Sequence, residues 1–124
     1  MNVTLWIIAG VLAAAFAAAG LMKLAQPKAK LAESGMGWTE DLSDGQVKGI
    51  GVLEVLGAIG LILPAATDIA PILTPIAATG LALLMLGAVV THVRRGEHNM
   101  LPVNLLLGGL AAFLAVMRFG PYSF

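Results

Sequence analysis

Four long stretches of this sequence carry almost no charge, and they constrain the fold more than any other feature. They cover residues 3–22, 47–64, 75–91 and 100–117. A helix rises about 1.5 Å per residue, so roughly 20 residues cross a hydrocarbon core about 30 Å thick. Backbone polar groups inside lipid must be bonded within their own segment, which makes each stretch a helix. The sequence therefore predicts a single all-α domain, an integral membrane four-helix bundle, with helices over residues 3–24, 44–64, 75–92 and 100–118.

Several helix ends carry local signals. Ser43 and Gln46 form an S-x-x-Q capping box, which predicts that the second span begins at residue 44. Thr74 stands before a proline and is predicted to be the N-cap of the third span. Asn99 is predicted to cap the fourth.

The composition excludes several classes of function. Hydrophobic residues make up 59% of the chain and the formal net charge is zero, so no positive field exists to attract nucleic acid. There is no cysteine, which excludes disulfides, thiolate metal sites and iron–sulfur clusters. No Lys or Arg precedes the first apolar stretch, so it is predicted to be an uncleaved span and not a secretory signal.

Basic residues are distributed unevenly between the two sides of the predicted bundle. Six lie in or beside the first and third loops, and Arg118 alone lies on the opposite side. The positive-inside rule predicts a multi-pass protein of the cell membrane with both termini outside and loops one and three in the cytoplasm. The six residues are Lys23, Lys28, Lys30, Lys48, Arg94 and Arg95.

Glu54 is the one charged residue well inside a span, about 15 Å from the predicted helix start. A carboxylate at that depth needs a partner, and intramembrane ionisable groups are functional candidates by default. Lys23, Thr91, His92 and Asn104 fall on the same side of the predicted topology and could converge on it. Structural alternatives stay open for three of these residues. Glu54 could form a hydrogen bond between helices, Lys23 could extend its ammonium group to the lipid head groups, and His92 could lie at the membrane interface.

Other polar and aromatic residues carry weaker signals. His92, Glu97 and His98 match no zinc-binding spacing, so no metal site is predicted. No catalytic residue and no cofactor are predicted either. Aromatic residues near the span ends are predicted to be interfacial anchors: Trp6, Trp38 and Tyr122. Small residues recur in every span and predict close helix packing, among them Gly20, Gly51, Gly57 and Gly108.

Two segments of this sequence resemble a known family. Residues 19–24 read AGLMKL, and residues 50–61 contain a G-x-x-E-x-x-G-A pattern centred on Glu54. Together they are similar to the DoxX-like family of small four-span membrane proteins. The resemblance implies a four-span fold and a polar pair formed by Lys23 and Glu54. It also implies association with other proteins. The founding relative is linked to quinone-coupled sulfur oxidation as an accessory subunit, and animal relatives assist receptor assembly.

Two functional hypotheses remain in view. The first is a non-enzymatic membrane subunit or assembly factor, whose partners besides the lipid bilayer are further copies of itself or another membrane protein. The second is a binding or transport module for a quinone, a lipid or another amphiphile at Glu54. An enzyme is the least favoured reading, because no nucleophile–base pair or metal-ligand set is recognisable.

Overall fold

The computed structural model describes residues 1–33, 42–96 and 101–124, which form five helices and no strand. Four of the helices are long and apolar enough to cross a membrane. The predicted all-α membrane bundle of four spans is confirmed, and a short helix after the first span adds to it. The helices are α1 (Asn2–Ala25), α2 (Lys28–Glu33), α3 (Asp44–Thr67), α4 (Leu73–Arg95) and α5 (Leu101–Phe119).

The four long helices close into a ring, in which α1 packs against α3, α3 against α4, α4 against α5 and α5 against α1. Each helix turns one stripe inward; in α1 it is formed by Leu5, Ala9, Leu12 and Phe16, spaced three or four residues apart. Many large apolar side chains on the outer faces are exposed, as expected for a surface that meets lipid. The remaining core residues are Ala58, Leu61, Ala78, Leu81, Met85, Ala111, Leu114 and Ala115.

Glycines bring α1 and α3 into close contact. A Cβ atom added at Gly20 would lie 2.7 Å from the carbonyl oxygen of Gly51, and one added at Gly51 would lie 2.9 Å from the carbonyl oxygen of Gly20. Neither approach leaves room for a side chain. The two backbones therefore cross here because both residues are glycine, as is common where membrane helices pack.

The start of α3 has the predicted capping box. The backbone N–H of Gln46 donates to Ser43 Oγ at 3.1 Å, and the backbone N–H of Ser43 donates to Gln46 Oε1 at 2.9 Å. This local sequence signal placed the helix start at Asp44 correctly.

The other end of α3 differs from the prediction. The helix continues past Pro64 to Thr67. A proline has no N–H for the carbonyl four residues earlier, which is that of Gly60. That carbonyl instead accepts the hydroxyl of Thr74 at 3.0 Å. The prediction of Thr74 as an N-cap was wrong: its hydroxyl donates to the Gly60 carbonyl of α3, and α4 begins at Leu73, two residues before the predicted start, without a side-chain cap.

Some predictions fall on residues 34–41 and 97–100, outside the described part of the chain. They are the interfacial role of Trp38, the N-cap at Asn99 and the exclusion of Glu97 and His98 as metal ligands.

Candidate functional site

Glu54 and Lys23 form an ion pair inside the bundle. The distance from Lys23 Nζ to Glu54 Oε1 is 2.7 Å, and the two side chains are only 7% and 3% exposed. Oε1 has no other hydrogen-bond donor in the described part of the chain. The pairing that the sequence suggested is present. It joins the end of α1 to the middle of α3, beside the Gly20–Gly51 crossing.

Lys48 fixes the position of Lys23. Its ammonium group donates to the carbonyl oxygens of Lys23 at 2.7 Å, Leu24 at 3.2 Å and Gln26 at 2.7 Å. The last carbonyls of a helix have no partner within the helix, and a cation there also suits the helix dipole. A residue that the sequence counted only as a loop charge thus clamps the end of α1 onto α3.

His92 and Asn104 also point into the bundle, with exposures of 6% and 8%. Contacts of Gly57 with Leu81, and of Gly108 with Met85, set the heights of α3, α4 and α5. Counting about 1.5 Å per residue from these contacts, His92 and Asn104 lie about 5 Å apart along the bundle axis. They share the interior of one half of the bundle with the ion pair.

We call this part of the molecule the Lys23 half; it contains the end of α1, the first half of α3 as far as Glu54, the end of α4 and the start of α5. Each of the four spans contributes one buried polar side chain to it: Lys23, Glu54, His92 and Asn104. Among the described residues, Lys23 is the one polar partner of the Glu54 carboxylate. The amide nitrogen Nδ2 of Asn104 is buried and has no hydrogen-bond partner in the described residues.

Thr91 does not belong to this group. Its side chain is only partly buried, and its hydroxyl donates to the carbonyl oxygen of Gly87, one turn earlier in α4, at 2.9 Å. A threonine bonded in this way has satisfied its own donor within the helix. The sequence placed Thr91 at the right height but could not show which way its hydroxyl points.

The described residues contain no group of three His, Cys, Asp or Glu side chains that could hold a metal ion. The buried polar side chains of the Lys23 half offer hydrogen bonding and charge. Glu54 Oε1 keeps the capacity to accept one more hydrogen bond, and Asn104 Nδ2 the capacity to donate one.

A second polar cluster, which sequence reasoning missed, lies at the opposite end of the bundle. Arg118 in the last turn of α5 is 3% exposed. Its Nη1 donates to Asn2 Oδ1 at 2.7 Å and to the carbonyl oxygen of Tyr122 at 3.0 Å. Its guanidinium lies 4.1 Å from the ring centre of Phe124 and 6.0 Å from that of Trp6. We call this group the Arg118 cluster.

The sequence contained one signal for this cluster. An even number of spans brings the first turn of α1 and the last turn of α5 to the same side of the membrane. Trp6, predicted only to be an interfacial anchor, packs edge to face against Phe124 with ring centres 6.0 Å apart. The topology therefore predicted that the start of α1 and the end of α5 lie on the same side of the membrane. It did not predict that Arg118 would be buried there.

The sequence profile of the DoxX-like family matches residues 7–114. The chain is a member of the DoxX-like family. No curated protein and no solved structure matches it.

Membership in the DoxX-like family agrees with the four spans. The matched segment contains all four polar residues of the Lys23 half. Asn2, Trp6 and Arg118 of the second cluster lie outside it. The two clusters of this DoxX-like protein thus differ in position and in their relation to the family.

Proposed function

We propose that this DoxX-like protein binds a small amphiphile, such as a quinone, through the polar interior of the Lys23 half. The observation that carries the proposal is the contribution of one buried polar side chain by every span. Ionisable and polar groups within a membrane are costly and usually mark a ligand or ion site. Four of them lie in the interior of one half of the bundle.

Stability alone does not account for the ion pair. Burying two charges costs several kcal/mol per ion, and replacing a buried pair with apolar residues of similar volume is often neutral or stabilising by about 1–4 kcal/mol. Small residues already let the helices pack closely. The cost of burying Lys23 and Glu54 therefore favours a role for them beyond stability, and ligand binding is such a role.

The unused hydrogen-bonding capacity indicates the chemistry of the head group. Asn104 Nδ2 can donate to a carbonyl oxygen, and Glu54 Oε1 can accept from a hydroxyl. A quinone presents carbonyls, its reduced form presents hydroxyls, and an apolar tail suits the lipid around the bundle. Lipids with ester or hydroxyl head groups share this chemistry.

The sharpest test replaces Asn104 with leucine, which has a similar volume and no amide. Removing an unpaired buried amide should leave the stability unchanged or raised. A decyl-tailed benzoquinone, used as the probe, should raise the melting temperature of the wild-type protein in mild detergent. At about one hundred times its dissociation constant the gain is about 2.7 kcal/mol. Asn104→Leu should lose this rise.

Thr91→Val is the matched control, because it deletes a hydroxyl at a similar depth that is bonded within its own helix. It should keep the full quinone-induced shift. Native mass spectrometry of the wild-type protein should also show a retained small molecule. The proposal fails if Asn104→Leu responds to the probe as strongly as the wild type does.

One observation favours the second candidate, a subunit or assembly factor. An open apolar groove of about 500 Å³ runs between α4 and α5, far from the polar interior. Small side chains line much of it, including Ala82, Ala112 and Ala115, and such surfaces suit a helix of a partner membrane protein. Native mass spectrometry separates the two functions: a retained small molecule supports binding, and a stoichiometric protein partner supports the subunit.

A further inference from the structure

Arg118 is buried, and within the described residues no counter-charge contacts it. No carboxylate in the described residues lies within 4 Å of its guanidinium, whereas Lys23 is neutralised by Glu54. The rings of Phe124 and Trp6 supply some cation–π attraction. Such contacts leave the positive charge in place, and a buried charge is costly unless it is paired. The guanidinium of Arg118 therefore has no anion in contact with it among the described residues.

The donors of Arg118 are only partly used. Both of its hydrogen bonds leave from Nη1, toward Asn2 and Tyr122. Nε and Nη2 have no acceptor in the part of the chain that the structure describes. These two nitrogens form one edge of the planar guanidinium. Their parallel N–H groups match two oxygens of a phosphate or carboxylate.

The location of the cluster restricts the source of that anion. Arg118 lies in the last turn of α5, and Asn2 is the first residue of α1, so the cluster lies where two spans reach the membrane boundary. Phospholipid phosphates lie at this boundary. Trp6 and Tyr122 belong to the two aromatic residue types that are enriched at this interface.

We propose that the Nε–Nη2 edge of Arg118 binds a phosphate group at this end of the bundle. The phosphate comes from a phospholipid head group or from free phosphate, and the chemistry of recognition is the same for both. Asn2 accepts a hydrogen bond from Nη1, and the rings of Phe124 and Trp6 lie 4.1 Å and 6.0 Å from the guanidinium carbon. This site is independent of the amphiphile site in the Lys23 half.

The test compares three additions to the protein in neutral detergent: phosphatidylglycerol, a diacylglycerol with the same acyl chains, and inorganic phosphate without lipid. Melting temperature is the readout. A phosphate-bearing addition should raise it, and diacylglycerol should not. A rise with phosphatidylglycerol alone identifies the head group as the source, and an equal rise with inorganic phosphate identifies free phosphate. Both results support the site.

Two variants link the effect to Arg118. Arg118→Gln removes the charge. Arg118→Lys keeps the charge and a donor for Asn2 but loses the two-pronged edge, so its apparent affinity for phosphate should fall by about tenfold. Arg94→Lys, at an exposed arginine near the end of α4, is the matched control and should bind as the wild type does. Unchanged binding by Arg118→Lys, or an equal rise with diacylglycerol, overturns the proposal.

Discussion

The Lys23–Glu54 ion pair is a contact whose energy depends on both partners together. Removing one side chain leaves a buried charge without its counter-charge, which costs about 3–5 kcal/mol. We therefore expect Lys23→Met and Glu54→Met each to lower the free energy of unfolding by about that amount. The double variant should cost far less than the sum, within about 2 kcal/mol of the wild type.

Denaturation of the four proteins in mixed detergent micelles measures this cycle. Thr91→Val again serves as a control that touches no buried charge. Additive losses in the double variant would show that the 2.7 Å contact contributes no coupling energy.

Single residues differ in how far the sequence revealed their roles. Glu54 was predictable because a charge deep in an apolar span needs a partner, and Lys23 at the end of the first span was a plausible counter-ion on the same side. Asn104 was placed correctly by height, but its unpaired amide follows from packing that no local pattern encodes. Arg118 was noted only as the single basic residue on its side of the bundle. Nothing in its neighbours along the chain shows that its side chain is buried.

Between elements, the α1–α3 crossing should depend on its glycines. A methyl group at Gly20 would lie 2.7 Å from the Gly51 carbonyl oxygen and 2.7 Å from Val55 Cγ2. The backbone cannot yield as a flexible side chain would, so Gly20→Ala should destabilise the protein by about 1–3 kcal/mol. Thermal melts in detergent measure the loss.

Gly10→Ala provides the comparison on the same helix, because nothing lies within 4 Å of a Cβ atom there. It should be neutral or stabilise the protein by up to about 1 kcal/mol, as alanine favours a helix more than glycine does. Equal effects at the two positions would contradict the close crossing.

Helix ends show where local sequence is sufficient. The capping box at Ser43 is complete within four residues and was predicted correctly. The end of α3 depends on Thr74, which satisfies the Gly60 carbonyl from the next helix. α3 continues past Pro64, and the carbonyl that the proline leaves without a helical donor accepts the hydroxyl of a residue 14 positions away along the chain.

For the whole molecule, the direction of insertion remains a prediction from the six-to-one distribution of basic residues. The absence of native cysteine allows a clean measurement. Ser123→Cys should react with a membrane-impermeant maleimide added to intact cells. Arg94→Cys should react only after the membrane is permeabilised. Both residues are exposed in the structure, so access to the thiol reports sidedness and not burial. The reverse pattern would place the termini in the cytoplasm.

The pairing of α1 with α3 has a consequence for how the chain enters the membrane during synthesis. A lone charge at the centre of a span costs roughly 2.5–3.5 kcal/mol to insert. The span with Glu54 emerges from the ribosome after the one with Lys23, so the earlier helix already offers a cation when the carboxylate arrives. The two spans can then leave the translocon as one hairpin with its internal charges cancelled. Separating them with a long linker would make the second span insert alone, with its carboxylate unpaired.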